Sequence, residues 1–170
     1  MIFNKIKLNP YTLKLKTPLI NSSKTYKQIN GYMIRLYLDD VCGCGDIVIL
    51  PSFSKVTYKE VEWAFEEVKL SLMIGDSYNK EELISLFEIY ANKVPELHFA
   101  LDTALYDILS SLKSVGLYNY LNPNSNKIVR FSSLHLSHNN NNSTNRVKIK
   151  LGYGVEKDIK LLDDITSQYD

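Results

Sequence analysis

Cysteine is scarce in this chain: Cys42 and Cys44 are the only two among 170 residues, and one residue separates them. Two cysteines cannot build a disulfide scaffold and match no usual zinc spacing, so a reducing compartment is the simplest reading. Long hydrophobic runs are missing as well. No stretch approaches the ~20 apolar residues of a membrane span. The segment from Met1 to Lys16 alternates charged, polar and apolar side chains and lacks the apolar core of a signal peptide. Nor does one sign of charge dominate, since 20 Lys and Arg stand against 19 Asp and Glu for a net charge of +1. Nothing electrostatic therefore draws the chain to nucleic acid or to an anionic membrane. A Walker loop, a Gly-x-Ser-x-Gly elbow and a dinucleotide fingerprint are also absent. These absences lead us to expect no nucleic-acid and no membrane partner, and a cytoplasmic location with a plastid stroma as the alternative.

What is present is an ordinary globular balance, 45% hydrophobic and 23% charged, with 12 tyrosines. The length suffices for one domain with a real core and part of another. Ile2 to Leu15 reads as extended, with Pro10 marking an edge or a bulge. Tyr32 to Leu38 and Gly45 to Leu50 read as strands flanking the turn Asp39 to Gly43, an antiparallel hairpin or meander. The period then becomes helical. Thr57 followed by Glu60 is a capping-box pair, and Val61, Ala64, Phe65, Val68 and Leu72 recur at helical spacing up to a stop near Gly75. A second helix is expected over Glu81 to Ala91. A third opens at Pro95, a favoured first position, and runs to about Val115 before Gly116. After the turn-rich Asn122 to Asn126, Val129 to Leu136 and Val147 to Leu151 read as strands around an Asn-rich loop, and Val155 to Gln168 as a helix. Strands, then helices, then strand–loop–strand–helix predict an α+β domain followed by the opening of a parallel βα architecture.

Each candidate constellation has a plain alternative. Lys148 and Lys150, two apart on a strand, point to one face, while Val147, Ile149 and Leu151 point to the other. The pattern alone favours two solvated lysines on a half-buried strand. Set inside a barrel or cleft, two adjacent cations destabilise each other's charge, and a lysine in that position can act as a general base. Leu50 to Ser54 is either a loop or a rim over a substrate. Asp102 and Asp107 lie five apart on a helix, poorly placed for one metal ion, so structural hydrogen bonds or solvated charges are the better reading. His98, His135 and His138 with the two cysteines do not compose a zinc site. No metal ligand is assigned.

Taken in order, three of these segments are similar to one family. Gly43-Cys44-Gly45-Asp46 with Leu50-Pro51-Ser52-Phe53-Ser54 resembles the Gly-Trp-Gly-Glu … Leu-Pro-Gly-Phe-Ser segment of o-succinylbenzoate synthases. Pro95 to Ile108 resembles the helix that closes the capping domain across the enolase superfamily. Val147 to Gly152 resembles that family's Lys-x-Lys strand. The departures are Cys44 for Trp, Asp46 for Glu, Ser52 for Gly, Ile29 near a position that is often Arg, and Ser132 for a first-strand Asn.

The resemblance implies an enolase-like N-terminal capping domain, an antiparallel meander plus helices, over 1–121. The first one or two βα elements of an incomplete TIM barrel would follow over 128–170. It implies Mg2+-dependent dehydration of a succinyl-hydroxycyclohexadiene carboxylate to o-succinylbenzoate, in menaquinone or phylloquinone biosynthesis. Lys150 would be the base that removes the proton next to the carboxylate and returns it to the departing hydroxide, with Lys148 as its electrostatic neighbour. Leu19, Ser22, Tyr26, Pro51, Phe53 and Ser54 would face the substrate. The family's magnesium carboxylates sit on strands that follow Lys-x-Lys and have no counterpart here. The expectation is thus a truncated protein, inactive alone and binding its small-molecule carboxylate only when a second polypeptide completes it. The alternative is a non-catalytic remnant or interaction module derived from such a cap.

Overall fold

The computed structural model describes residues 1–20, 24–51, 53–73, 77–126, 128–134 and 146–167. The chain falls into two compact units, Met1–Ser125 and Asn126–Asp170.

The first unit is built on a three-stranded antiparallel meander in the order β1-β2-β3, with β1 at Lys5–Ile20, β2 at Thr25–Leu38 and β3 at Val41–Val48. β1 is an edge strand, which is where a proline without an N–H is tolerated, and Pro10 pairs with Tyr32 in unbroken register. The irregularity lies further along, between Lys14 and Leu19, a stretch that contains Pro18. β2 reaches β3 through the two-residue turn Asp39-Asp40, with Leu38 opposite Val41. Asp39 has φ 52°, a left-handed conformation that a short polar side chain accepts more readily than most. β3 pairs only with Gly31–Leu38, so β1 and the first part of β2 project beyond it as a two-stranded ribbon. At six residues the ribbon is about 20 Å long.

Pleating sorts the sheet into two faces. Ile6, Leu36 and Gly43 form one row, and Leu8, Ile34 and Gly45 the next, on the face under the helices. Lys5, Tyr37 and Cys42, then Lys7, Arg35 and Cys44, form the rows on the outer face. Three helices follow; the first and third pack on the inner face, and the second packs against the third. α1, Tyr58–Met73, starts at the expected box: the Glu60 carboxylate accepts from the Thr57 N–H at 2.7 Å and from its hydroxyl at 2.8 Å. α2, Lys80–Glu88, has a box that sequence reading missed, with Asn79 Oδ1 accepting from the Glu82 N–H at 2.9 Å and Glu82 returning the bond at 2.8 Å. α3, Pro95–Leu112, begins at Pro95 as expected and buries Leu97, Leu101, Leu105 and Ile108 completely. One core joins these helices to Ile34, Leu36 and Ile47 of the sheet. The stop at Gly75 lies outside the described residues. α3 ends before Gly116, through Ser114 at φ 53°: its N–H bonds to Ser111 O and that of Val115 to Ser110 O, a Schellman arrangement. A short helix, α4, follows at Leu117–Leu121, too brief to leave a period in the sequence.

The second unit holds β4, Ser133–Leu134, paired in parallel with β5, Val147–Lys148, and then α5, Val155–Thr166. Of the strand expected over Val129 to Leu136, Val129 to Ser132 are not in strand, Ser133 and Leu134 are, and His135 and Leu136 lie outside the described residues; the strand expected over Val147 to Leu151 is two residues long. Parallel strands gain their stability from burial on both faces, and Ile128, Val129, Phe131 and Leu151 beside them are exposed. Asp158 anchors the turn into α5 by accepting from Gly152 N at 2.8 Å and Tyr153 N at 3.2 Å. Gly152 and Gly154, at φ 111° and 114°, occupy backbone conformations that favour glycine.

Candidate functional site

The Leu50–Ser54 segment is a closed turn. Leu50 O accepts from the N–H groups of Phe53 and Ser54, both at 2.8 Å, and Ser54 Oγ accepts from Leu50 N–H at 3.2 Å. The proline-led turn thereby holds the Phe53 ring in solvent at 70% exposure, with Pro51 also exposed and Ser54 half-buried. Phe53 is therefore an exposed side chain on a hydrogen-bonded turn, outside the core cluster.

Leu19 and Tyr26 are directly opposite one another near the far end of the ribbon, so their side chains share a face. Leu19 is half-buried, Tyr26 is buried, and Lys24 Nζ stands 5.3 Å from the Tyr26 ring centroid. Ser22 lies outside the described residues. The structure thus gathers the expected cap residues into two groups, the ribbon pair and the turn.

A residue that sequence reading missed links them. Tyr58, at the start of α1, has its hydroxyl 3.2 Å from Asn30 O at the ribbon base and 3.3 Å from Ile49 O at the entry to the turn. Tyr58 also meets Tyr32 edge-on, at 5.8 Å between centroids. Burial raises the Tyr58 phenol, keeping it a neutral donor. Around it, Tyr11 OH donates to Asp46 at 2.6 Å and Tyr32 OH to Glu62 at 2.5 Å. Burial, reinforced by Glu62, pushes Tyr32 up to about 12. No local pattern announces such a lattice, because its partners lie 28 and 35 residues apart in the chain.

The Gly43-x-Gly45 pair has a packing role. A Cβ built on Gly43 would lie 2.0 Å from Ala104 O, and one on Gly45 1.9 Å from Ala100 O. Small residues on both elements let α3 press on the backbone of β3. Asp107 fastens the contact by accepting from the Cys44 N–H at 2.9 Å, a structural hydrogen bond as expected. Asp102 forms a 3.4 Å pair with His98 on the same helix. Burial raises its carboxyl, Glu88 reinforces the shift and His98 opposes it.

In the second unit Lys148 ends β5 with an exposed side chain, and Lys150 is half-buried two residues on, outside the strand. The alternation that would set both on one face is therefore cut short by the brevity of β5. Among the described residues no three His, Cys, Asp or Glu side chains converge into a metal-binding group. Asp107 and Asp158 are engaged with backbone N–H groups and Asp102 with His98. The acidic side chains among the described residues do not assemble into a magnesium site.

This architecture is shared with solved structures of much longer chains. N-succinyl Arg/Lys racemase from Bacillus cereus matches all of this chain with 50% of its own length, at TM-score 0.82 and 16% identity. Dipeptide epimerase from Enterococcus faecalis, crystallised with Mg and the dipeptide L-Leu-L-Tyr, matches 98% of this chain with 50% of its own, at TM-score 0.79 and 18% identity. A member of the enolase superfamily from Listeria innocua matches 99% with 42% of its own, at TM-score 0.66 and 20% identity. At such identities the likeness defines the fold alone: an α+β antiparallel meander with helices. The chain spans half or less of the length of these relatives. No curated protein sequence matches it. The family model "MenC, N-terminal domain" matches residues 3–108, well over half of the chain, and the chain belongs to that family.

Proposed function

We propose that this chain supplies the lid and the proton-transfer lysine of an o-succinylbenzoate synthase-type dehydratase. The observation that carries the reading is the match to the MenC N-terminal domain over 3–108, together with a turn at Leu50–Ser54 that holds Phe53 outward. In this reading 1–121 is the cap. Phe53, Pro51 and Ser54 with Leu19, Ser22 and Tyr26 select a small carboxylate carrying an apolar ring. Lys150 removes the proton next to the carboxylate and hands it to the departing hydroxide, so that water leaves and the ring becomes aromatic. Lys148 holds the field positive while negative charge develops.

The remaining barrel strands and the magnesium ligands belong to sequence beyond the matched half, on the same or a second polypeptide. Exposed Ile128, Val129, Phe131 and Leu151 beside the two-residue strands are the surface such strands would cover. No described helix is long and apolar enough to cross a membrane.

The test is an assay for o-succinylbenzoate formation from the cyclohexadiene carboxylate in the presence of Mg2+. The 170-residue chain by itself is expected to show no turnover. Coexpressed with the coding sequence that adjoins it, activity should appear, and Lys150→Ala should reduce it at least ~100-fold, as for loss of a general base. Turnover by the chain alone, or activity indifferent to Lys150→Ala, overturns the proposal.

A further inference from the structure

We propose that Cys42 and Cys44 form a two-thiolate site for a soft, two-coordinate metal ion of the Cu(I) class on the outer face of the cap sheet. The proposal is independent of the dehydratase reading. Both cysteines are free, half-exposed and two apart on β3, so their thiols leave the same face. Tyr37 stands opposite Cys42 and Arg35 opposite Cys44 in the β2–β3 register, and the Cys42 thiol lies 3.9 Å from Gly43 O. The strand that carries them is held rigidly. On its inner face Gly43 and Gly45 sit against Ala104 O and Ala100 O, and at its edge the Cys44 N–H is bonded to Asp107.

Charge on this face suits a bound cation with two thiolates. Such a unit carries one net negative charge. The adjoining rows present Arg35 opposite Cys44 and Lys7 opposite Arg35, and Lys5 with its ammonium 5.6 Å from the Tyr37 ring centroid. Arg35 is steadied by Nη1 donating to Asn9 Oδ1 at 2.9 Å. Burial and the neighbouring Cys42 raise the Cys44 thiol, which keeps it a poor nucleophile until a metal displaces its proton. On binding, both thiols release their protons to solvent and two metal–sulfur bonds form, with no change of oxidation state.

Geometry selects a bridge over a disulfide. Residues two apart on a strand have Cα atoms about 6.6 Å apart, near the upper limit for a disulfide. Their Cβ vectors run parallel, so a sulfur–sulfur bond of about 2.05 Å would buckle the strand. A metal with two bonds of about 2.3 Å separates its sulfurs by up to about 4.6 Å and needs no such distortion. Zinc asks for four ligands, and no third donor joins the pair among the described residues. Two soft thiolates with nothing else favour Cu(I).

The experiment is anaerobic competition between the full chain and bicinchoninate for Cu(I). One equivalent should pass to the protein, and Cys42→Ser and Cys44→Ser should each weaken binding at least tenfold while keeping far-UV circular dichroism and a cooperative melt. X-ray absorption at the copper edge of the unaltered protein should give two sulfur neighbours, a readout that does not depend on the variants folding. No transfer to the parent chain, undiminished affinity in either variant, or a shell of three or more sulfurs overturns the proposal. So does a loss of two mass units on incubation with oxidised glutathione, because an internal disulfide would show that the sulfurs converge.

Discussion

At the scale of single residues, the two glycines of β3 and the tyrosines around Ile49 do more than their local sequence suggests. A Cβ on Gly45 would meet the backbone of Ala100, and backbone cannot swing aside as a side chain does. Gly45→Ala should therefore lower unfolding free energy by about 3 kcal/mol, the upper end of the overpacking range. Urea titration checks this, with Gly152→Ala as a comparison of another kind, since that site has open space and a positive φ. Tyr58→Phe removes the hydroxyl shared by Asn30 O and Ile49 O. It should cost about 1 kcal/mol and speed amide exchange at Phe53 and Ser54, whose turn hangs from Ile49.

At the scale of elements, capping decides where helices begin and end, and it makes some stability depend on pH. Thr57→Ala should destabilise by about 1 kcal/mol through loss of the α1 cap. The Glu60 carboxyl is held below its ordinary range, first by the Thr57 N–H and then by its hydroxyl. Its folded value lies under its unfolded one, so its contribution is present above the unfolded value and is lost as pH falls through the lowered one. Asp102 runs the other way. Its carboxyl is raised by burial, so its contribution is complete at low pH and fades as pH rises through the raised value. Thermal melts across the acid range should show Glu60→Gln flattening the first dependence and Asp102→Asn the second. At the far end of α3, Ser114 holds a left-handed conformation that suits glycine. Ser114→Gly should raise stability by about 0.5–1 kcal/mol, measured as an increase in Tm.

These elements were legible to different degrees. α1 and α3 could be read because a capping pair, a first-turn proline and an apolar period agree locally. The ribbon was legible only in its first arm, where Ile2 to Leu15 reads as extended. Gln28 and Asn30-Gly31 carry no strand pattern, and they are extended where they pair with Lys14, Thr12 and Tyr11 of β1. The alternation at Lys148 and Lys150 was visible, yet it does not fix which face is covered, and β5 ends at Lys148.

At the scale of the molecule, the one large cluster of buried hydrophobic side chains among the described residues lies in the first unit, and Ile165 is the buried apolar residue described in the second. Every residue of that cluster falls between Phe3 and Ile108. Residues 1–125 expressed alone should therefore unfold cooperatively in urea, while 126–170 alone should show no cooperative transition. In the second unit Ile128, Val129, Phe131, Val155 and Ile159 are more than half exposed. Covering each would contribute up to about 1.5–3 kcal/mol, which is why further strands of a βα architecture would stabilise this part more than any change within it. A cooperative transition in isolated 126–170 would contradict this division.

The amino-acid sequence by itself determined the local elements, since caps, turn residues and apolar periods act between near neighbours. It also contained, at Gly43 to Ser54 and Pro95 to Ile108, two segments with a family resemblance, both within the residues 3–108 that the family model matches. Only the tertiary structure decided what those segments do. Alternation puts Gly43 and Gly45 on one face and Cys42 and Cys44 on the other, but it cannot say which face meets a helix. That was settled by Ala100 and Ala104, more than 50 residues away, whose small side chains let α3 settle on the glycines and leave the thiols facing outward.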